Sequence, residues 1–219
     1  MTFISRRDLL KRAAIAVPVA RAFSAVVTAS AAPEHLTATE MDTLEAIVAR
    51  LIPTDEHGPG ATEAHAATYI DRALGGALAS SRQAYTAGLA ALDRYAQSSR
   101  GAAFAKLPPV DQDSVLIDVE TGAATGFAGS PAAFFTMVLS HTHQGTFGDP
   151  YYGGNANFVG WDLVGYPGVR TMVMPADQKA LEAHQLRANH KSAYDYDAFT
   201  KSSARSHDAQ EGGSSWRRG

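Results

Sequence analysis

Cysteine is absent from all 219 residues, which excludes disulfides, thiolate metal sites, iron–sulfur ligation and covalent haem attachment. Long hydrophobic runs are missing as well: the alanine- and valine-rich segment after Lys11 is broken by Arg21 and is too short for a membrane anchor. Between residues 33 and 145 nothing alternates convincingly like a strand, and no stretch repeats at a fixed period. There is no G-x-S-x-G elbow, G-x-G-x-x-G fingerprint or P-loop, so no motif announces a hydrolytic or nucleotide-binding site. Basic charge is also short. The net charge is −3, and residues 1–31 hold five bases (Arg6, Arg7, Lys11, Arg12, Arg21) against the single acid Asp8, which leaves about −7 for the remainder. A nucleic-acid partner is not expected from such a chain.

What is present begins with a leader. Ser5-Arg6-Arg7-Asp8-Leu9-Leu10-Lys11, a weakly apolar middle and the small residues Ala29-Ser30-Ala31-Ala32 have the order of a secretory signal over residues 1–32. The paired Arg6 and Arg7 resemble the twin-arginine type, which exports proteins already folded. A periplasmic location follows as an expectation.

Residues 33–188 read as one small all-α domain of about five helices, with 45% hydrophobic residues in the whole chain to supply a core. Thr37 and Glu40 fit a capping box and Leu36 and Met41 a hydrophobic staple. Met41, Leu44, Ile47, Val48 and Leu51 then share one face, and Pro53 ends the helix. A second helix is expected from near Thr62 to Leu74, stopped by Gly75-Gly76, and a third from about Ser81 to Gln97. Pro108-Pro109 starts a fourth. Ser130-Pro131 starts a fifth with Phe134, Phe135, Val138 and Leu139 on its bulky face. Between the first two helices, Asp55, Glu56 and His57 lie in a turn-forming stretch without regular ligand spacing, as a solvated turn would.

The fifth helix runs into residues 145–168, GTFGDPYYGGNANFVGWDLVGYPG, where seven glycines and six aromatics sit among only two charges, Asp149 and Asp162. No sustained period runs through them, so the backbone must be irregular. Compact domains seldom carry so long a loop unless it binds something. Rings this dense must bury against the chain's own core or against another surface. From Asn189 onward serine and glycine dominate, and residues 189–219 read as a polar, mobile tail in which Tyr194, Tyr196, Phe199 and Trp216 stand isolated.

Two histidines precede the loop, His141 and His143, with Asp149 close behind. Helical neighbours two apart point to different sides, so the pair is a poor joint metal site unless the helix has unwound. One reading has one of the two histidines hydrogen-bonding loop carbonyls and so holding the aromatic stretch in shape. The other is a stand-alone periplasmic enzyme in which His141, His143 and Asp149 form a metal or acid–base site.

At these residues a family likeness enters. The twin-arginine start, the segment Ala46-Ile47-Val48-Ala49-Arg50-Leu51-Ile52-Pro53-Thr54-Asp55, the segment ATEAHAATYID from Ala61 to Asp71, and above all His141-Thr142 through GTFGDPYYGGN to GWDLVGYPG resemble the gluconate 2-dehydrogenase subunit 3 family. The resemblance reaches from the leader to about Pro175. It implies a non-catalytic helical small subunit with no cofactor of its own, bound to a large FAD-containing dehydrogenase of the glucose-methanol-choline type. It implies further that the small subunit lends its signal to that flavoprotein for passage through the twin-arginine translocase. In such periplasmic, membrane-associated complexes a multi-haem cytochrome c commonly carries the electrons onward. An obligate interface relies on aromatic anchors. The residues expected at it are His141, Phe147, Asp149, Pro150, Tyr151, Tyr152, Asn155, Trp161 and Tyr166, with Phe147, Tyr151, Tyr152 and Trp161 divided between core and interface.

Overall fold

A computed structural model of the chain describes residues 32–199. The expected signal, including Arg6 and Arg7, and the end of the expected tail lie outside the described residues. The fold is all-α. Five principal helices are α1 (Ala38–Leu51), α2 (Ala66–Ala73), α3 (Arg82–Arg100), α4 (Pro109–Glu120) and α5 (Pro131–Phe147), followed by the short α6 (Val159–Leu163) and α7 (Pro175–Glu182). Among the described residues no strand forms, and no helix is long and apolar enough to cross a membrane.

The helix starts follow the sequence chemistry. In α1 the Thr37 hydroxyl accepts from the Glu40 amide at 3.2 Å while Glu40 accepts from the Thr37 amide at 2.8 Å, the reciprocal box its spacing predicts. Ser130 caps α5 by accepting from the Ala133 amide at 3.2 Å. The second helix starts later than expected, at Ala66. Residues 61–65 are turns instead, and His65 stands in the left-handed region at φ 57.

One core joins α1 to α5: Leu44, Ile47, Ile70, Tyr85, Leu89, Leu92, Phe104, Val115 and Val138 are all buried in it. The most extensive helix pair is α2 with α5, and its contact point is Gly145. A Cβ there would stand 2.9 Å from the Ala66 Cα and 3.0 Å from the Ala66 carbonyl oxygen, so the two backbones touch where no side chain intervenes.

A buried carboxylate fixes where the chain enters this bundle. Asp71, in α2, accepts from three successive amides: Glu34 at 2.6 Å, His35 at 3.0 Å and Leu36 at 2.8 Å. Three N–H donors satisfy both of its oxygens and tie the segment of chain before α1 to α2. The turn at Asp55–Gly58 closes on itself through paired backbone bonds, and Asp55 accepts from the His57 amide at 2.8 Å. This is the solvated turn expected there.

Candidate functional site

The loop begins as helix. Gly145, Thr146 and Phe147 complete α5, whose last turn therefore lies inside the stretch expected to be irregular, and α6 supplies a second helical turn later in it. Between them Asn155 organises the backbone. It is fully buried, and its own amide donates to the Gly145 carbonyl at 2.7 Å. Its side chain donates to the Gly148 carbonyl at 2.9 Å and accepts from the Gly160 amide at 2.8 Å. One side chain thus joins the end of α5 to the start of α6, using the separate donor and acceptor of its carboxamide.

Small residues let this happen. A Cβ on Gly154 would strike the Gly145 carbonyl, and one on Gly160 would strike the Thr146 carbonyl. The backbone is forced as well as close: Asn155 (φ 45), Asn157 (φ 54) and Phe158 (φ 63) all lie in the left-handed region, which costs a bulky residue such as phenylalanine about 1–2 kcal/mol. Ring contacts hold Phe158 there. It packs on Trp161 at 5.4 Å and stacks on His190 at 5.2 Å with an interplanar angle of 14°. Trp161 is buried, its indole N–H donates to the Phe147 carbonyl at 2.9 Å, and its ring meets Tyr166 edge-on at 4.7 Å.

The nine residues expected at an interface separate into three groups. His141, Asn155 and Trp161 are interior and shape the surface from beneath rather than forming it. Phe147, Asp149 and Pro150 are half-buried. Tyr151, Tyr152 and Tyr166 are exposed, Tyr151 to 63%. Exposed apolar residues absent from the sequence expectation are Val164, Met172, Val173, Met174 and Leu181, with Met172 71% exposed. Their signal was the apolar run Met172-Val173-Met174 directly before Pro175, too short to carry a period and so without an assigned face.

The histidine reading divides in the same way. His141 belongs to the core, where its Nδ1 meets the Tyr85 hydroxyl at 2.9 Å and its ring stacks on Tyr85 at 5.8 Å. Burial lowers the His141 pKa and pushes the Tyr85 hydroxyl far above the ordinary phenol range. Both shifts favour the neutral forms, and the pair shares one hydrogen bond between the phenol oxygen and Nδ1. His141 thus braces α5 against α3 and reaches no loop carbonyl. His143 is exposed and leans on Phe147 at 6.1 Å. Asp149 turns away toward the C-terminal segment, accepting from the Tyr151 amide at 2.9 Å, the Ser192 hydroxyl at 2.6 Å and the Ala193 amide at 3.2 Å. The structure does not bring these three side chains together as a site. Among the described residues no group of three His, Asp or Glu side chains is placed to hold a metal ion.

Residues 189–199 also differ from the mobile tail expected of them. Asn189 donates through its side chain to the Val169 carbonyl at 2.8 Å, Tyr196 does so through its hydroxyl at 2.7 Å, and Tyr194 stacks on Tyr151 with ring centroids 3.7 Å apart. The composition is polar, but the polar groups are spent on loop carbonyls and on Asp149.

Fold and loop together define a small helical domain whose most elaborated feature is a closely packed, ring-bearing loop. Residues 38–168 match the family model described as Gluconate 2-dehydrogenase subunit 3, and the chain belongs to that family. By its name the family is one of subunits of a larger dehydrogenase. No curated protein and no solved structure matches the chain.

Proposed function

We propose that this chain is the small, non-catalytic subunit of a periplasmic FAD-dependent dehydrogenase of the gluconate type, and that it binds the flavoprotein subunit and escorts it through twin-arginine export. The observation that carries this reading is the contrast within the loop. Asn155, the close-packed glycines and Trp161 fix the backbone from inside, while Tyr151, Tyr152, Val164 and Tyr166 in the loop and Met172 to Met174 shortly after it are left exposed. Apolar groups exposed in such concentration mark an interaction surface, and aromatic anchors on a preorganised backbone suit a permanent one. Flavin is inserted in the cytoplasm, so its apoprotein must fold there, and an exporter of folded cargo suits that order of events. The FAD belongs to the partner, and a multi-haem cytochrome c would complete the path to the membrane.

Co-expression with the flavoprotein tests the reading. Replacing Arg6 and Arg7 by lysine should leave both chains, still bound to each other, in the cytoplasm. A flavoprotein that reaches the periplasm regardless, or that never co-purifies with this chain, overturns it. Val173→Asp should lower the yield of complex at least ten-fold without altering the helicity of the free subunit.

A further inference from the structure

The matched family region ends at residue 168, yet the Asp149–Tyr152 turn near the end of that region is contacted by residues from beyond it. Ser192 and Ala193 take both oxygens of Asp149, Tyr194 stacks on Tyr151 at an interplanar angle of 16°, and the Tyr194 and Tyr152 hydroxyls meet at 2.7 Å. We propose that residues 189–196 are a displaceable strap: in the free subunit they occupy the Asp149–Tyr152 surface, and the flavoprotein subunit takes that surface over when it docks. This rests on the partner reading above and adds to it which face is contested and what holds it beforehand.

Three observations favour release over permanent closure. Little of the strap is interior: Ser192 alone of residues 189–196 is buried, the others are half-buried or exposed, and the contact between the Tyr152 and Tyr194 hydroxyls is exposed. Water can replace such bonds at little cost. The strap also starts from a strained point, because His190 is left-handed at φ 48 while its ring is held by Phe158 and by Asp162 at 2.7 Å. Finally, what the strap offers is a ring face, a hydroxyl and backbone amides, which any protein surface with an aromatic residue beside a turn can supply instead. In the meantime the stacked Tyr194 occupies one face of the Tyr151 ring, which is otherwise left exposed.

Amide hydrogen exchange on the full-length chain, free and in complex with the flavoprotein that co-purifies with it, tests this. Amides of residues 192–196 should exchange at least ten-fold faster in the complex than in the free subunit, and those of Tyr151 and Tyr152 more slowly. A full-length Ser192→Ala/Tyr194→Ala variant should bind the flavoprotein several-fold more tightly. Protection of 192–196 that persists or grows in the complex, or weaker binding by the variant, overturns the displacement while leaving the partner reading intact. Failure of the wild-type chain to bind any flavoprotein overturns both.

Discussion

Asn155 and Gly160 are joined by a buried hydrogen bond of 2.8 Å, side-chain oxygen to backbone amide, at the point where α6 begins. Because the same side chain donates to the Gly148 carbonyl, its removal leaves a buried donor and a part-buried acceptor without partners. Asn155→Ala should therefore cost about 2–4 kcal/mol of stability, read as a lower urea midpoint at unchanged slope. Asn155→Asp should cost a comparable amount, since it keeps the acceptor but loses the donor and buries a charge.

Gly145→Ala places a methyl group against the Ala66 backbone and should force α2 from α5 at a cost of about 1–3 kcal/mol. Gly129→Ala is the control. Its Cβ would meet nothing within 4 Å, and thermal unfolding should shift little. Equal losses at the two positions would show that close backbone contact is not what Gly145 provides.

How much of this was legible beforehand differs between helices and loop. The caps at Thr37 and Ser130, the glycine and proline stops and the apolar stripes are local signals, and they located five helices in an all-α domain. Asp71 could not be read that way, because its three partners lie 35 to 37 residues earlier and nothing in its neighbourhood distinguishes it from a surface aspartate. The place of His141 could not be read locally either: its partner Tyr85 is 56 residues away, whereas the loop beside it in sequence supplied the more obvious acceptors. Polar composition misled at 189–199, since it records how many groups can hydrogen-bond but not whether they bond to water or to loop carbonyls.

Asp71→Ala should free the segment before α1. Three amides lose their acceptor at once, so a loss of about 3 kcal/mol is expected, with exchange at Leu36 accelerated well beyond that of α3. Asp71→Asn should rescue only part of this: an amide oxygen can still accept from His35 and Leu36, while its NH2 would face the Glu34 N–H.

The Tyr85–His141 pair predicts an acid sensitivity with a definite sign. Burial lowers the His141 pKa in the folded state below its ordinary value of 6.5. The unfolded chain therefore takes up this proton first as pH falls. The contribution is complete above about pH 6.5 and is lost as pH drops below that value toward the folded pKa. Urea midpoints measured between pH 7.5 and 5.5 should decline in the wild type, and the slope should flatten in His141→Gln. An unchanged slope would assign the decline to other groups.

Surface loops are ordinarily where a chain absorbs insertions and deletions between related proteins. Here the carbonyls of Gly145 and Thr146 meet the backbone at Gly154, Asn155 and Gly160 with no side chain between them, so the count of residues from 146 to 160 is as constrained as the spacing within a helix. Lengthening that interval by a single residue should be tolerated worse than an equal insertion at the exposed 75–77 turn, which makes loop length, more than loop composition, the feature to compare between subunits of this kind.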